Sequence, residues 1–405
     1  MTTAPPHAEL WPLERGVTFL NHGSFGACPR EVLRHQAALR EALEAEPVRF
    51  LSRELDERLD VARRALAAFV GADPDDLAFV TNATSGVNAV LRSLAFDAGD
   101  ELLTTDHAYG ACRNTLDFVA GRTGARVVVA PVPFPLRGPD EVVDAVMARV
   151  TPRTRLALLD HITSPTALVL PIERLIALLG ARGVDVAVDG AHAPGMVPLH
   201  LGALGAAYYS GNCHKWLCAP KGSAFLWVRP DRRASVRPLT ISHGAAVTRP
   251  DRSRFHLEFD WTGTSDPTAW LTVPRAIEYL GGLVPGGWPA LMAKNRALAI
   301  EARDLVCAAA GTPAPCPDEM VGSLASVVLP DGPTTGISWR RPDPLQRRLY
   351  EGWGIEVPVM SWPAPPRRLI RLSAQLYNGR DQYARLAEAL SVELAAERVP
   401  RESIR

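Results

Sequence analysis

The chain has 405 residues, 47% of them hydrophobic and 22% charged, and 44 basic residues balance 44 acidic ones. That length and apolar content suit two or three packed units around a large core, while a zero formal charge gives no support to binding of nucleic acid. No apolar run reaches the roughly 18 residues that span a bilayer, the opening MTTAPPHAELWPLER carries no signal-peptide pattern, and six cysteines are too sparse for a disulfide framework, so a reducing cytoplasm is the expected compartment.

In chain order, residues 1–20 read as a proline-bearing arm. Between 29 and 69, REVLRHQAALREALEAE and LDERLDVARRALAAFV repeat apolar residues at helical spacing and predict two amphipathic helices. A new rhythm then begins: short apolar run, turn, helix. LAFV (77–80), ELLTT (101–105), ARVVVA (125–130), TRLALLD (154–160), VDVAVD (184–189), GAAYYSG and SAFLWV (223–228) are the runs, with helical patterns such as DEVVDAVMARV and PIERLIALLGAR between them. Strands alternating with helices predict an α/β fold with a mostly parallel sheet covered on both faces. The rhythm fades near 275, and GGLVPGGWPA (281–290) is a candidate hinge. Beyond it come a long helix at about 289–310, a loop over 311–335, strands in SLASVVL, GISWR and RLIRLSA, and a final helix at 380–397. The expected organisation is an arm (1–20), a large domain (21–280) and a smaller α+β domain (281–405) that can pack with the N-terminal segment.

In a parallel sheet, ligands bind just beyond the carboxyl ends of the strands. After LAFV comes Thr81-Asn82-Ala83-Thr84-Ser85-Gly86 and a helix. Hydroxyls at a helix start suit a phosphate, or Thr84 or Ser85 simply caps the helix. After VDVAV comes Asp189-Gly190-Ala191-His192-Ala193-Pro194-Gly195. A buried aspartate there suits a protonated pyridine nitrogen, or caps the following turn. Lys215 follows AAYYS in the apolar setting SGNCHKWLC. A buried lysine loses its proton readily and becomes a nucleophile toward an aldehyde, whereas a surface lysine does nothing of the kind. Taken together, a phosphate cup, a ring-nitrogen partner and an imine-forming amine are what pyridoxal 5′-phosphate requires.

These stretches resemble the class V aminotransferase superfamily of fold-type-I pyridoxal-phosphate enzymes, and within it the isopenicillin N epimerase-like branch. The likeness runs from FLNHGSFGACP (19–29) through SPTALVLPI, VDGAHAPG, HKWL with APKG, and WTGTSD to RLSAQLYN (371–378). It implies that Lys215 forms the Schiff base and shuttles the Cα proton, and that Asp189 pairs with the pyridine nitrogen. His192 would stand near the phenolic oxygen, Ala191 against one ring face, and Tyr109 stacked on the other, where many relatives have histidine. Thr84, Ser85, Asn212 and His214 would hold the phosphate, Asn212 standing where many relatives have serine. Thr264 would reach the neighbouring subunit's phosphate, making the active unit a homodimer. Arg371 would clamp the substrate α-carboxylate, with Asn21, His22 and Ser164 bordering the substrate.

Cys213, His214 and Cys218 have no second paired set, so no metal is expected. The stretch 339–370 ahead of Arg371 has no cysteine, which argues against persulfide chemistry. The expected activity is β-elimination of the C–S lyase type on a cysteine-derived conjugate in a biosynthetic pathway, a lean given by the resemblance alone. Epimerisation with Tyr109 as the opposite acid, transamination and decarboxylative oxidative deamination remain open, and a non-catalytic binding protein is the bland alternative.

Overall fold

The computed structural model describes residues 7–334 and 341–398; the GISWR strand (336–340) lies outside them. A seven-stranded sheet forms the centre, with spatial order β2-β8-β7-β6-β5-β3-β4. Its strands are β2 (Leu77–Val80), β3 (Glu101–Thr105), β4 (Arg126–Ala130), β5 (Thr154–Asp160), β6 (Asp185–Asp189), β7 (Tyr208–Asn212) and β8 (Ala224–Val228). All neighbours are parallel except β8, which runs against both β2 and β7. Apart from the edge strand β4, the strands are buried nearly throughout, which is why they read as continuous apolar runs and not as alternations.

Helices of seven residues or more cover the sheet: α1 (Arg30–Ala45), α2 (Leu55–Val70), α3 (Ala83–Ser93), α4 (Gly110–Thr123), α5 (Pro139–Met147), α6 (Ile172–Gly180), α7 (Arg254–Asp260) and α8 (Val273–Gly282). Asn82 caps α3 by accepting the Ser85 N–H at 2.8 Å. The cap is therefore not Thr84 or Ser85, because both already lie inside the first helical turn.

After α8, the Gly/Pro cluster is a tight turn into the long helix α9 (Gly287–Ala310). The smaller unit holds β9 (Leu324–Leu329), α10 (Pro344–Trp353), β10 (Ile355–Glu356), β11 (Val359–Ser361), β12 (Arg368–Ser373) and α11 (Arg380–Arg398). Its sheet is antiparallel, in the order β11-β12-β9. The 311–335 loop is thus shorter than its Pro/Gly content predicts: β9 occupies part of it, because LASVVL is apolar enough to be buried against α9. A short parallel ladder joins β1 (Thr18–Phe19) in the N-terminal segment to β10. That pairing brings the segment around Asn21 and His22 to the face where β5, β6 and β7 end.

Candidate active site

Three neighbouring strands deliver the central side chains. β5 ends at Asp160, β6 at Asp189, and the two aspartates are direct partners in the ladder. Ser210 of β7 is the next partner in that row, and Lys215 follows shortly after the strand. Gly26 and Gly195 explain two motif glycines. Both have positive φ, and a Cβ at Gly26 would lie 1.9 Å from the His214 carbonyl oxygen, one at Gly195 2.6 Å from the Trp216 carbonyl carbon. The lysine loop is pressed between two backbones that only glycine permits so close.

Lys215 is half-buried, and its Nζ lies 3.0 Å from His192 Nε2. The Trp216 indole N–H, which can only donate, points at His192 Nδ1 at 3.3 Å. Nδ1 is therefore the acceptor of a neutral imidazole, the ring proton sits on Nε2, and the Lys215 amine must accept it. An ammonium could not. Burial first, and Arg371 second, lower the Lys215 pKa from 10.5 to about 7, in agreement with the hydrogen-bond pattern. Burial also pushes His192 well below the usual histidine range.

His22 clamps the same loop from the N-terminal segment. Its Nε2–H donates to the Lys215 carbonyl at 3.0 Å, and its Nδ1 accepts from the Tyr377 hydroxyl at 2.8 Å. Cys218 closes the turn by donating its N–H to the same carbonyl, and pays with a left-handed φ of 56°.

Asp189 is buried and accepts two hydrogen bonds, from the Ala191 N–H on Oδ1 at 3.0 Å and from the Cys112 thiol on Oδ2 at 3.1 Å. Cys112 carried no signal in the sequence beyond its place on the helix after Tyr109. Tyr109 itself stands at the start of α4, 44% exposed, its phenol held protonated by burial, Cys112 and Asp189.

Arg371, in β12, reaches across from the small sheet. One guanidinium nitrogen donates to the Ser164 carbonyl at 2.7 Å and hydroxyl at 3.1 Å, and the other to Ser24 Oγ at 2.9 Å. Ser24 in turn donates to Asn21 Oδ1, whose amide nitrogen is held by Glu356 at 2.9 Å. The Arg371 Nε is buried without a partner, and burial lowers this arginine to about 10. Among the described residues, Lys215, Asp189 and Arg371 enter no salt bridge.

At the start of α3, Asn212 Oδ1 accepts the Ala83 N–H at 2.8 Å. Its oxygen anchors the helix start, so a phosphate would meet that helix with Thr84 and Ser85 more directly than it would meet the Asn212 oxygen. His214 donates Nδ1–H to the Ser223 carbonyl at 3.0 Å and is held neutral, its pKa lowered to about 4 chiefly by burial. Thr264 is exposed, in the loop between α7 and α8.

At the rim, Trp362 packs edge-on against His107, ring centres 4.5 Å apart, and against Phe134 at 5.1 Å. His107 receives the Thr166 hydroxyl at 2.7 Å and gives its other N–H to Val132. The loop ahead of Arg371 is thereby pinned to the loops after β3 and β5. All six cysteines are buried and unpaired, and no group of metal-ligating side chains occurs among the described residues.

Residues 27–313 match the family model "Aminotransferase class-V". The chain is 38% identical over 397 residues to an isopenicillin N epimerase of Amycolatopsis lactamdurans, covering 93% of this chain and 95% of that one. It is 32% identical over 395 residues to a probable chloroplastic L-cysteine desulfhydrase of Arabidopsis thaliana, covering 92% and 82%. Among solved structures, a cystine C–S lyase in complex with its product cysteine persulfide superposes with a TM-score of 0.76 at 22% identity, covering 93% and 98%. A cysteine desulfurase from Thermococcus onnurineus NA1 superposes with a TM-score of 0.79 at 16% identity, covering 98% and 99%.

Proposed function

The chain belongs to the class V aminotransferase family and is a pyridoxal-phosphate-dependent enzyme, and on that premise we propose that it acts at Cα of an amino acid and eliminates across the Cβ–S bond of a cysteine-derived conjugate. The side chains suit the cofactor. Asp189 and Arg371 are buried and Lys215 half-buried, all three with no ion-pair partner among the described residues, an arrangement that is costly unless a ligand completes it. Lys215 would hold the aldehyde, Asp189 the ring nitrogen, and the start of α3 with Thr84, Ser85 and His214 the phosphate, while Asn212 fixes that helix start. Ala191 and Tyr109 would flank the ring, and His192 would stand beside its phenolic oxygen. When bound, the cofactor supplies an electron-withdrawing ring that stabilises charge developing at Cα.

The observation that carries this reading is a neutral Lys215 amine in the same site as an unpaired Arg371. Arg371 would take the substrate α-carboxylate, since Ser164 and Ser24 orient its fork and its Nε stays free. Lys215, its lone pair oriented by His192 Nε2–H, would take the Cα proton. The net reaction converts an S-substituted cysteine and water into a thiol, pyruvate and ammonium; the C–S electron pair leaves with sulfur. Persulfide transfer lacks its nucleophile here, because every cysteine is buried and the pinned 361–367 loop has none. The named activities of the desulfhydrase and C–S lyase relatives support the lean.

A second reading, epimerisation, is favoured by the protonated Tyr109 phenol at the rim and by the epimerase relatives. Incubation with a panel of S-substituted L-cysteines separates the two. Equimolar pyruvate and ammonia support elimination. Appearance of the D-isomer without pyruvate replaces it with epimerisation. The exposed Thr264 loop suits a dimer in which Thr264 completes the neighbouring phosphate site, and free buried thiols suit a reducing cytoplasm.

A further inference from the structure

Asp160 has no part in that reading, yet it is buried to 3% exposure at the end of β5. It faces Asp189 directly across the parallel ladder. Paired residues on adjacent parallel strands point their side chains to the same face, with backbones about 4.8 Å apart. Two carboxyl groups on one face of adjacent strands in a dry site do not both ionise freely. The groups that face Asp160 are few: Asp189 from β6, Cys112 from α4, Lys215 from beyond β7, and the backbone N–H of Tyr109. The lone cation among them is Lys215, and its amine is neutral in the hydrogen-bond pattern with His192 and Trp216. Asp189 accepts hydrogen bonds from both Ala191 N–H and Cys112 S–H, donors that suit a carboxylate. Burial and Asp189, in that order, hold the Asp160 carboxyl well above the usual carboxylate range.

We propose that Asp160 is a positioning residue that carries a proton at neutral pH and shares it with Asp189, so that the pair presents one negative charge to the cofactor's ring nitrogen. This rests on Asp189 being the partner of that nitrogen. A single anion matches a single pyridinium charge, and the neutral acid keeps Asp189 from reorienting. The pair is also a reserve: when Asp189 loses its charge, Asp160 no longer faces a like charge and can ionise in its place.

Two measurements test this. Infrared spectroscopy of the apoprotein near neutral pH reads protonated carboxyl groups. A protonated-carboxyl band is expected in the wild type, lost in Asp160→Asn, and shifted in Asp189→Asn, where Asp160 loses its charged neighbour; a wild type without a band sensitive to Asp160→Asn overturns the proposal. Fluorescence titration with pyridoxal phosphate then gives affinities. Asp160→Asn, a near-isosteric mimic of the neutral acid, is expected within about threefold of wild type, Asp189→Asn about tenfold weaker, and the double variant about tenfold weaker again. A double variant no weaker than Asp189→Asn overturns the reserve role. If Asp189→Asn binds as tightly as wild type while the band still depends on both residues, the shared proton stands and the ring-nitrogen assignment falls.

Discussion

Replacing Lys215 with methionine should make the apoprotein more stable, and more so at neutral than at alkaline pH. The lysine pKa is lowered from 10.5 to about 7 in the folded protein, mainly by burial, a difference of about 5 kcal/mol between its protonation states. Between those two values the unfolded chain holds the proton and the folded chain does not. Stability therefore rises with pH across that window, and below about pH 7 the full cost of the buried lysine is present. The destabilisation from this one group is about 4 kcal/mol at pH 7 and about 2 kcal/mol at pH 9. Methionine keeps the length of the stem and removes the ionisation. Urea unfolding of cofactor-free wild type and Lys215→Met at both pH values, extrapolated linearly, reads the term, since titrating groups away from Lys215 cancel in the difference. The stability gap between the two proteins should shrink by about 2 kcal/mol on going from pH 7 to pH 9. A gap that does not change with pH would mean that Lys215 keeps an ordinary pKa, and the nucleophilic, neutral amine inferred from the His192 and Trp216 contacts would be wrong.

Trp216→Phe removes the donor that fixes His192 Nδ1 as acceptor; the imidazole can then change tautomer and accept from Lys215, so the alkaline midpoint for modification of the amine in the apoprotein should rise by about one pH unit. Arg371→Lys keeps the charge but loses the planar fork, and should raise KM for an amino-acid substrate about 10- to 100-fold with a smaller change in kcat, read from steady-state kinetics. Trp362→Ala strips two edge-on ring contacts from the rim and should cost about 1 to 3 kcal/mol in urea unfolding, with faster proteolytic cleavage in the 361–367 loop. Thr264→Glu places a carboxylate where a neighbouring subunit's phosphate is expected; cofactor affinity should fall at least about tenfold in a protein that sediments as a dimer, and unchanged affinity would remove Thr264 from the phosphate site.

The large sheet was legible because its strands are buried on both faces. Runs such as TRLALLD and VDVAVD have no polar face to alternate with, and the strand-end rule then points to the residues after each run. The small sheet was less legible for the opposite reason. Its strands pair antiparallel across long sequence distances, β12 with β9 and β11, and nothing local announces such partners. β9 was read from SLASVVL despite the Pro/Gly content around it, whereas the three-residue β11 is too short to show any pattern. Nor did the arm declare its role: β1 is two residues long, too short for any periodicity, yet its ladder with β10 sets Asn21, His22 and Ser24 against the lysine loop and Arg371.

Within the site, what could be read were the residues whose type is unusual for its setting, such as a lysine among apolar neighbours or an aspartate closing a Val-rich strand. By that standard Asp160 should have been noticed together with Asp189, because LALLD and VAVD end in the same way. Periodicity finds each strand but not its neighbour in space, and only the β5–β6 register shows that the two aspartates stand side by side. Cys112, Trp216 and Ser24 were illegible for a related reason: each acts through a hydrogen bond to a residue brought near by the fold, and a thiol, an indole or a hydroxyl has an ordinary packing role until that partner is known. The chemistry of Lys215 is set by this outer layer. Trp216 fixes the His192 tautomer, His192 orients the amine, and His22 and Cys218 hold the loop's carbonyl. A lysine in the same stretch of sequence without those contacts would be free to stay protonated and donate to an unprotonated His192 nitrogen, and an ammonium has no lone pair with which to remove a Cα proton.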